Sequence, residues 1–230
     1  EGANYAAAMG YKKFVVIDDS TPYGEGLATE FSKKVTADGG EIVLTEKTSD
    51  KDTDFNALVT KIKAKNPDMV YYAGMYMAGA LFAKQLHDAG IAAPVIGGDG
   101  MYDAQYIELG GKSVEGDYTT CVGLPADKLP AAADFQAAYE GKYPGEAIGA
   151  FDAYAYDAAA AIILAAVEVA KAEGADKINS PAGRDALQKA VAAVNFEGVT
   201  GPVSFDAKGD TNNKVVSLYK VESGAWVWQD

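Results

Sequence analysis

The sequence is poor in the residues that carry covalent and metal chemistry, with one cysteine, Cys121, and one histidine, His87, among 230 residues. A lone cysteine cannot close an internal disulfide, and one Cys with one His cannot build a zinc site. A histidine-based catalytic group would have His87 as its only candidate. Basic residues are also scarce, 20 against 33 acidic ones, for a formal net charge of −13 and a pI near 4.5. That balance excludes a nucleic-acid partner, because a phosphate backbone needs a basic face. Long apolar runs are missing too: the longest, residues 158–167, is about half a membrane span. Residues 1–9 contain neither a basic n-region nor an apolar core of signal-peptide length. They read instead as the second half of a helix, and a mature secreted chain would look the same.

What remains is an acidic chain with 49% hydrophobic residues, enough to bury a substantial core. Its first 122 residues alternate short β-rich runs with amphipathic segments. Strands are expected at 14–17, 41–44, 68–73, 94–97 and 118–122, and helices at 29–38, around 55–62 and at 80–89. Continuous apolar runs such as Phe14-Val15-Val16-Ile17 suit strands covered on both faces, so the pattern predicts an α/β fold with a parallel, doubly wound sheet. After Gly123 the texture changes to three successive helices, at 131–142, 148–173 and 181–194, with no strand between them. The first sheet is already covered on both sides, so these helices call for a second sheet that the chain does not contain. The tail returns to β pattern at 202–205, 214–221 and 225–228, and the polar turn 206–210 predicts a hairpin between the first two of these.

In an open parallel sheet, ligands sit beyond the carboxyl ends of the strands. There the sequence places Asp18-Asp19-Ser20-Thr21-Pro22-Tyr23-Gly24-Glu25-Gly26-Leu27, then Gly74-Met75-Tyr76-Met77, then Gly97-Gly98-Asp99-Gly100. Glycines let backbone approach a ligand, aromatics supply flat walls, and a carboxylate without a neighbouring base suits an ammonium group. Ordinary βα turns favour the same residue types.

These segments, with Lys51-Asp52-Thr53-Asp54-Phe55, Val70-Tyr71-Tyr72-Ala73-Gly74 and residues 201–210, resemble in order the second lobe of branched-chain amino-acid-binding proteins. These are type I periplasmic solute receptors of ABC importers. The resemblance implies two α/β lobes closing on a ligand. Residues 1–122 would be the second lobe, 123–200 a mainly helical return segment of the other lobe, and 201–230 the C-terminal strands and hairpin returning to the hinge. Most of the first lobe would be absent from this sequence. It implies ligand contacts at Tyr23, as the aromatic after the first strand, Asp99, as the partner of the ligand ammonium, and Phe151, as a wall near the crossings. Gly98 lies beside Asp99. Met75, with Tyr76 adjacent, stands where the family often has Tyr, which opens the side-chain specificity. The groups that hold the ligand carboxylate would belong to the other lobe.

The implied function is capture of a branched-chain or similar amino acid for an ABC permease, without a cofactor or metal. The partners would be the ligand, the permease, and the missing first lobe or a second copy of the chain. There would be no nucleic acid, and membrane contact only through the permease. The compartment would be the periplasm, or the outer surface of a Gram-positive cell by a lipid anchor. The alternative is an amino-acid or amide-sensing receptor domain of the same fold. An enzyme is disfavoured, because no nucleophile, base and orienting group assemble from these strand ends. Other patterns have plainer readings. Asp18-Asp19 lacks the third strand-end acid of a phosphoacceptor domain. Asp206, Lys208, Asp210 and Asn212 have calcium-loop spacing, but Leu218 stands where the bidentate Glu belongs. Gly97–Gly100 has no following GK[ST] for phosphate. His87 reads as a capping or surface residue, Cys121 as core, and only one of Tyr71 and Tyr72 can face a cleft.

Overall fold

The computed structural model describes residues 1–229. The chain divides into two units, Glu1–Val122 together with the chain from Val216 onward, and Gly123–Val215.

The first unit contains α1 (Gly2–Ala8), β1 (Lys13–Asp18), α2 (Pro22–Ala37), β2 (Glu41–Lys47), α3 (Asn56–Lys65), β3 (Met69–Ala73), α4 (Tyr76–Asp88), β4 (Val95–Gly97), α5 (Ala104–Gly110) and β5 (Tyr118–Val122). The helices α6 (Ala132–Lys142), α7 (Asp152–Glu173) and α8 (Pro181–Ala192), with the short strands β6 (Asn195–Gly198) and β7 (Gly201–Ser204), belong to the second unit. The chain then returns to the first unit as β8 (Val216–Glu222) and β9 (Ala225–Gln229). The seven-stranded sheet runs β2-β1-β3-β4-β5-β8-β9; its first five strands are parallel, and β8 and β9 are antiparallel additions. This is the doubly wound α/β sheet that the alternation of strands and helices predicts.

Side-chain alternation divides the core between two layers. Val15, Ile17, Val70 and Tyr72 face one way and pack with Val59, Ile62, Phe82, Leu86 and Tyr106 from α3, α4 and α5. Phe14, Val16, Met69 and Tyr71 face the other way and pack with Ala3, Ala6, Phe31 and Val35 from α1 and α2. Each fully buried large side chain contributes roughly 1.5–3 kcal/mol of transfer free energy, which is what holds the strand ends rigid enough to carry a site.

Two local expectations change. The second helix begins at Pro22 rather than at residue 29. Gly24 N–H donates to Thr21 Oγ1 at 3.0 Å, and Pro22 needs no amide partner in the first turn, an N-cap and proline start that overrides the glycines after it. The expected tail hairpin also does not form. Residues 201–204 pair instead with 195–198, residues 216–222 join the first sheet against β5, and the polar turn keeps one isolated bridge between Phe205 and Thr211. The turn is closed by Asp206, which accepts from Lys208 N at 2.8 Å and Asp210 N at 3.0 Å.

In the second unit, Asp157 of α7 is buried and accepts from Val199 N (2.9 Å), Thr200 N (2.8 Å) and Thr200 Oγ1 (2.7 Å), tying the helix to the β6–β7 turn. A Cβ on Gly198 would come within 2.4 Å of Asp157 Oδ2, so glycine is what admits that carboxylate. By length and composition α7, with mean hydropathy 1.5, could cross a membrane. Its buried Asp157 and its exposed Glu168–Lys171 ion pair are those of a helix packed within a folded unit.

Candidate functional site

With strand order β2-β1-β3, the sheet reverses its winding between β1 and β3, and the loops leaving those two strands open a crevice at their carboxyl ends. Three of the sequence-selected segments meet there. Tyr23 rises from the first turn of α2, Met75 precedes α4, and Gly98 leads from β4 into a 3-10 turn, Asp99–Met101. The Tyr23 hydroxyl donates to Asp99 Oδ1 at 2.8 Å and accepts from Gly100 N–H at 3.0 Å. Among the described residues no Lys or Arg pairs with Asp99, and its Oδ2 carries no protein hydrogen bond.

Close packing fixes this turn. Met101 is fully buried, and a Cβ on Gly79 or Gly97 would meet its side chain at 2.4 Å, so these two glycines make the slot that anchors it. Thr119 Oγ1 donates to the Gly98 carbonyl at 2.7 Å, and Thr120 Oγ1 to that of Gly97 at 3.2 Å. A Cβ on Gly98 or on Gly100 would stand 3.0 Å from the Tyr23 hydroxyl oxygen, and one on Gly100 would also stand 2.9 Å from Met75 Sδ. The glycines flanking Asp99 therefore give the phenol its room.

Beside Asp99 lies a cavity of about 410 Å³, lined among others by Leu27, Phe31, Tyr71, Thr120 and Cys121. Tyr71 stacks on Phe31 with ring centroids 3.9 Å apart. Burial, and then the charge of Asp99, push its phenol well above the ordinary range. Burial and the same charge push the Cys121 thiol up to about 11, so it stays protonated and acts as core. Of the two adjacent tyrosines it is Tyr71 that reaches this cavity, while Tyr72 lies in the opposite layer. Leu27, Thr119 and Thr120 are not among the site residues expected from the sequence, and Tyr71 is there only as one of two alternatives with Tyr72. Only strand alternation together with a known register could have found the threonines.

The remaining expected residues are placed differently. Tyr76 packs against the core cluster of α3, α4 and α5, and the exposed side chain at that corner is Met75. Phe151 belongs to the second unit, where it precedes α7 with an exposed ring. Asp18, the last residue of β1, and Asp19 after it are buried. Asp18 Oδ1 accepts from Ser20 N at 2.9 Å, and Asp19 Oδ1 accepts from Thr21 N at 3.0 Å and Thr21 Oγ1 at 2.6 Å.

His87 lies at the other end of the sheet, beside a cavity of about 530 Å³. It is not a surface residue. Its Nδ1 faces the Ile91 carbonyl and its Nε2 faces Asp117 Oδ1, both at 3.0 Å. Asp117 is fully buried and also accepts from Val95 N and Tyr106 Oη, each at 2.8 Å. With Asp117 ionised, both ring nitrogens face acceptors, an arrangement that the imidazolium satisfies as two donors. Burial works against that charge. The hydrogen bond and charge of Asp117, the Ile91 carbonyl and Asp88 outweigh it and raise the His87 pKa.

The profile of the periplasmic binding protein family matches residues 1–225. The Leu/Ile/Val-binding protein homolog 3 of Brucella melitensis is 35% identical over 215 residues, which is 93% of this chain and 55% of that protein. The Leu/Ile/Val-binding protein BraC3 of Rhizobium johnstonii is 35% identical over 217 residues, again 93% of this chain and 55% of its own. This chain thus spans about half the length of the curated relatives it matches. Among solved structures, the leucine binding protein LivK of Thermotoga maritima has 28% identity and a TM-score of 0.83, covering 100% of this chain and 64% of its own. The branched-chain amino acid transporter substrate binding protein LivJ of Streptococcus pneumoniae, in complex with isoleucine, has 27% identity and a TM-score of 0.75, covering 99% and 63%.

Proposed function

Because the chain belongs to the periplasmic binding protein family, we propose that it supplies the ammonium-reading lobe of an extracytoplasmic receptor that captures a branched-chain amino acid for an ABC permease. The observation that carries this reading is the Asp99 carboxylate. It is held at the switch point of the sheet by Tyr23 and by an anchored turn, with no basic partner among the described residues and with one oxygen still open. A ligand ammonium enclosed by lobe closure is costly unless it is paired, and this carboxylate meets the need. The relatives named for Leu, Ile and Val supply the choice of ligand class.

Tyr23, Gly98, Asp99 and Met75 form this lobe's part of the site; Phe151, expected from the resemblance as a wall, stands in the second unit with an exposed ring. Tyr76 supports Met75 from the core side. Residues 1–122 serve as the lobe, 123–200 as the return segment of the other lobe, and the final strands close back at the hinge. The apolar helical faces of the second unit are the surface on which the rest of that lobe lies. The receptor works in the periplasm, or tethered outside a Gram-positive cell by a lipid anchor. It binds and releases its ligand unchanged, as a receptor and not as an enzyme.

The test is calorimetry on the two-lobed receptor with L-leucine, L-isoleucine and L-valine. Asp99→Asn should weaken binding by about a hundredfold, the scale of a buried charge-assisted pair. Unchanged affinity in that variant would defeat the assignment.

A further inference from the structure

We propose that the Tyr23 hydroxyl is a positioning group for Asp99: it occupies one carboxylate oxygen and so presents the other, Oδ2, to the ammonium. This deepens the receptor reading above and rests on it. The resemblance alone makes Tyr23 an aromatic that packs on or bonds to the ligand. The geometry gives its polar end a different task. The hydroxyl has one proton to donate, and that proton goes to Asp99 Oδ1 at 2.8 Å. One of its lone pairs is taken by the Gly100 N–H at 3.0 Å. The oxygen is wedged between Gly98 and Gly100, since a Cβ on either residue would stand 3.0 Å away. A phenol held on two sides, beside a turn anchored by Met101, has no donor left to offer a ligand.

The consequence is selectivity by pre-orientation. An unrestrained Asp side chain rotates about its terminal torsion and can offer either or both oxygens. With Oδ1 engaged, Asp99 presents a single acceptor in one direction, which suits the point charge of a primary ammonium. A planar, two-pronged guanidinium would need both oxygens. Binding strength then depends on Tyr23 through Asp99, by removing a reorganisation cost that the ligand would otherwise carry.

Three measurements separate this from a direct contact. In the two-lobed receptor, Tyr23→Phe should weaken L-leucine binding by about tenfold. It should leave the ammonium-free analogue 2-hydroxy-4-methylpentanoate within about twofold of the wild type, with both ligands followed by NMR titration into the millimolar range. In an Asp99→Ala background the same Tyr23→Phe change should cost nothing further, because the residue it acts through is gone. Equal losses for leucine and for the hydroxy acid, or a tenfold loss that persists in the Asp99→Ala background, would mean that the Tyr23 hydroxyl bonds the ligand directly and would overturn the proposal. Unchanged leucine binding in Asp99→Ala would instead defeat the receptor reading, which keeps the two failures apart.

The third measurement needs no ligand and uses this chain alone. Burial and the bond to Asp99 hold the Tyr23 phenol above its ordinary range. Its ¹³Cζ resonance should therefore show no titration near pH 10 in the wild type and should move toward that pH in Asp99→Ala. A Tyr23 that titrates at its ordinary value in the wild type would show that the link to Asp99 does not exist in solution and would also overturn the proposal.

Discussion

The two units solve the burial problem differently. The sheet unit covers its strands on both faces with its own helices, and its two apolar clusters hold side chains as large as Tyr72, Tyr106 and Phe82 at essentially zero exposure. The helical unit has only Leu129, Ala153 and Val199 in its buried cluster, while Tyr156, Ile162, Ile163, Leu164 and Val167 of α7 stay exposed. Each unit nevertheless uses the same polar device, a buried aspartate that accepts backbone N–H groups. Asp117 does this in the first unit and Asp157 in the second. The lesson is that hydrogen-bond satisfaction and apolar burial are separate requirements: the helical unit meets the first internally while large apolar side chains of α7 stay exposed.

The sharpest way to break this contrast is a matched pair of truncations followed by chemical denaturation. Phe82→Ala should cost about 3–5 kcal/mol, and Ile163→Ala, on the uncovered face, should stay within about 0.5 kcal/mol. Equal costs would mean that α7 is covered within the chain. Sedimentation velocity should further show Ile163→Lys to self-associate less than the wild type.

The two aspartates come next. Asp117→Ala should cost about 3 kcal/mol, because it strands His87 as well as the amide of Val95 and the hydroxyl of Tyr106. Asp157→Ala should cost about 2 kcal/mol, since it strands only neutral donors. Urea denaturation of the two variants reads the difference directly, and a costlier Asp157→Ala would reverse the ranking.

The smallest effect concerns pH. His87 has a raised folded-state pKa, so its contribution is fully present below its unfolded value of about 6.5 and is lost as pH rises through the folded value. Asp117, raised by burial against its three donors, acts in the same direction. Asp88, paired with Lys84 and Ser113, and Glu115, which lines the adjoining cavity, are the other acidic groups of this region. The protein should therefore become less stable as pH rises from about 6.5 through the folded-state value of His87, and His87→Gln should flatten that slope. A wild-type unit that grows more stable over this range would contradict the imidazolium assignment.

Much of this was readable from residues alone, for reasons tied to period and composition. β1 and β3 are continuous apolar runs because both faces are covered, and the three strandless helices stand out because nothing between them has a period of two. The strand ends that carry Tyr23, Met75 and Asp99 follow from where glycine and proline interrupt the pattern. The errors came from competition between local signals. The apolar spacing that places a helix at 29–38 misses the start that Thr21 and Pro22 give it at residue 22, and the turn at 206–210 suggests a hairpin whose strands find other partners. A strand's partner is a tertiary choice, set for β8 by the open edge of β5. The pairing of Tyr23 with Asp99 spans 76 residues, and the contact of His87 with Asp117 depends on the register of β4 and β5 at their amino ends. No local pattern encodes either contact.

The central claim is that Asp99 is the counter-charge for a captured amino acid. Native mass spectrometry of the two-lobed receptor, wild type and Asp99→Asn, after exposure to an equimolar mixture of the protein amino acids, tests it most directly. The account predicts one retained ligand with the mass of valine, leucine or isoleucine on the wild type and an empty variant. A variant loaded as fully as the wild type, or a wild type that retains no amino acid, would contradict it.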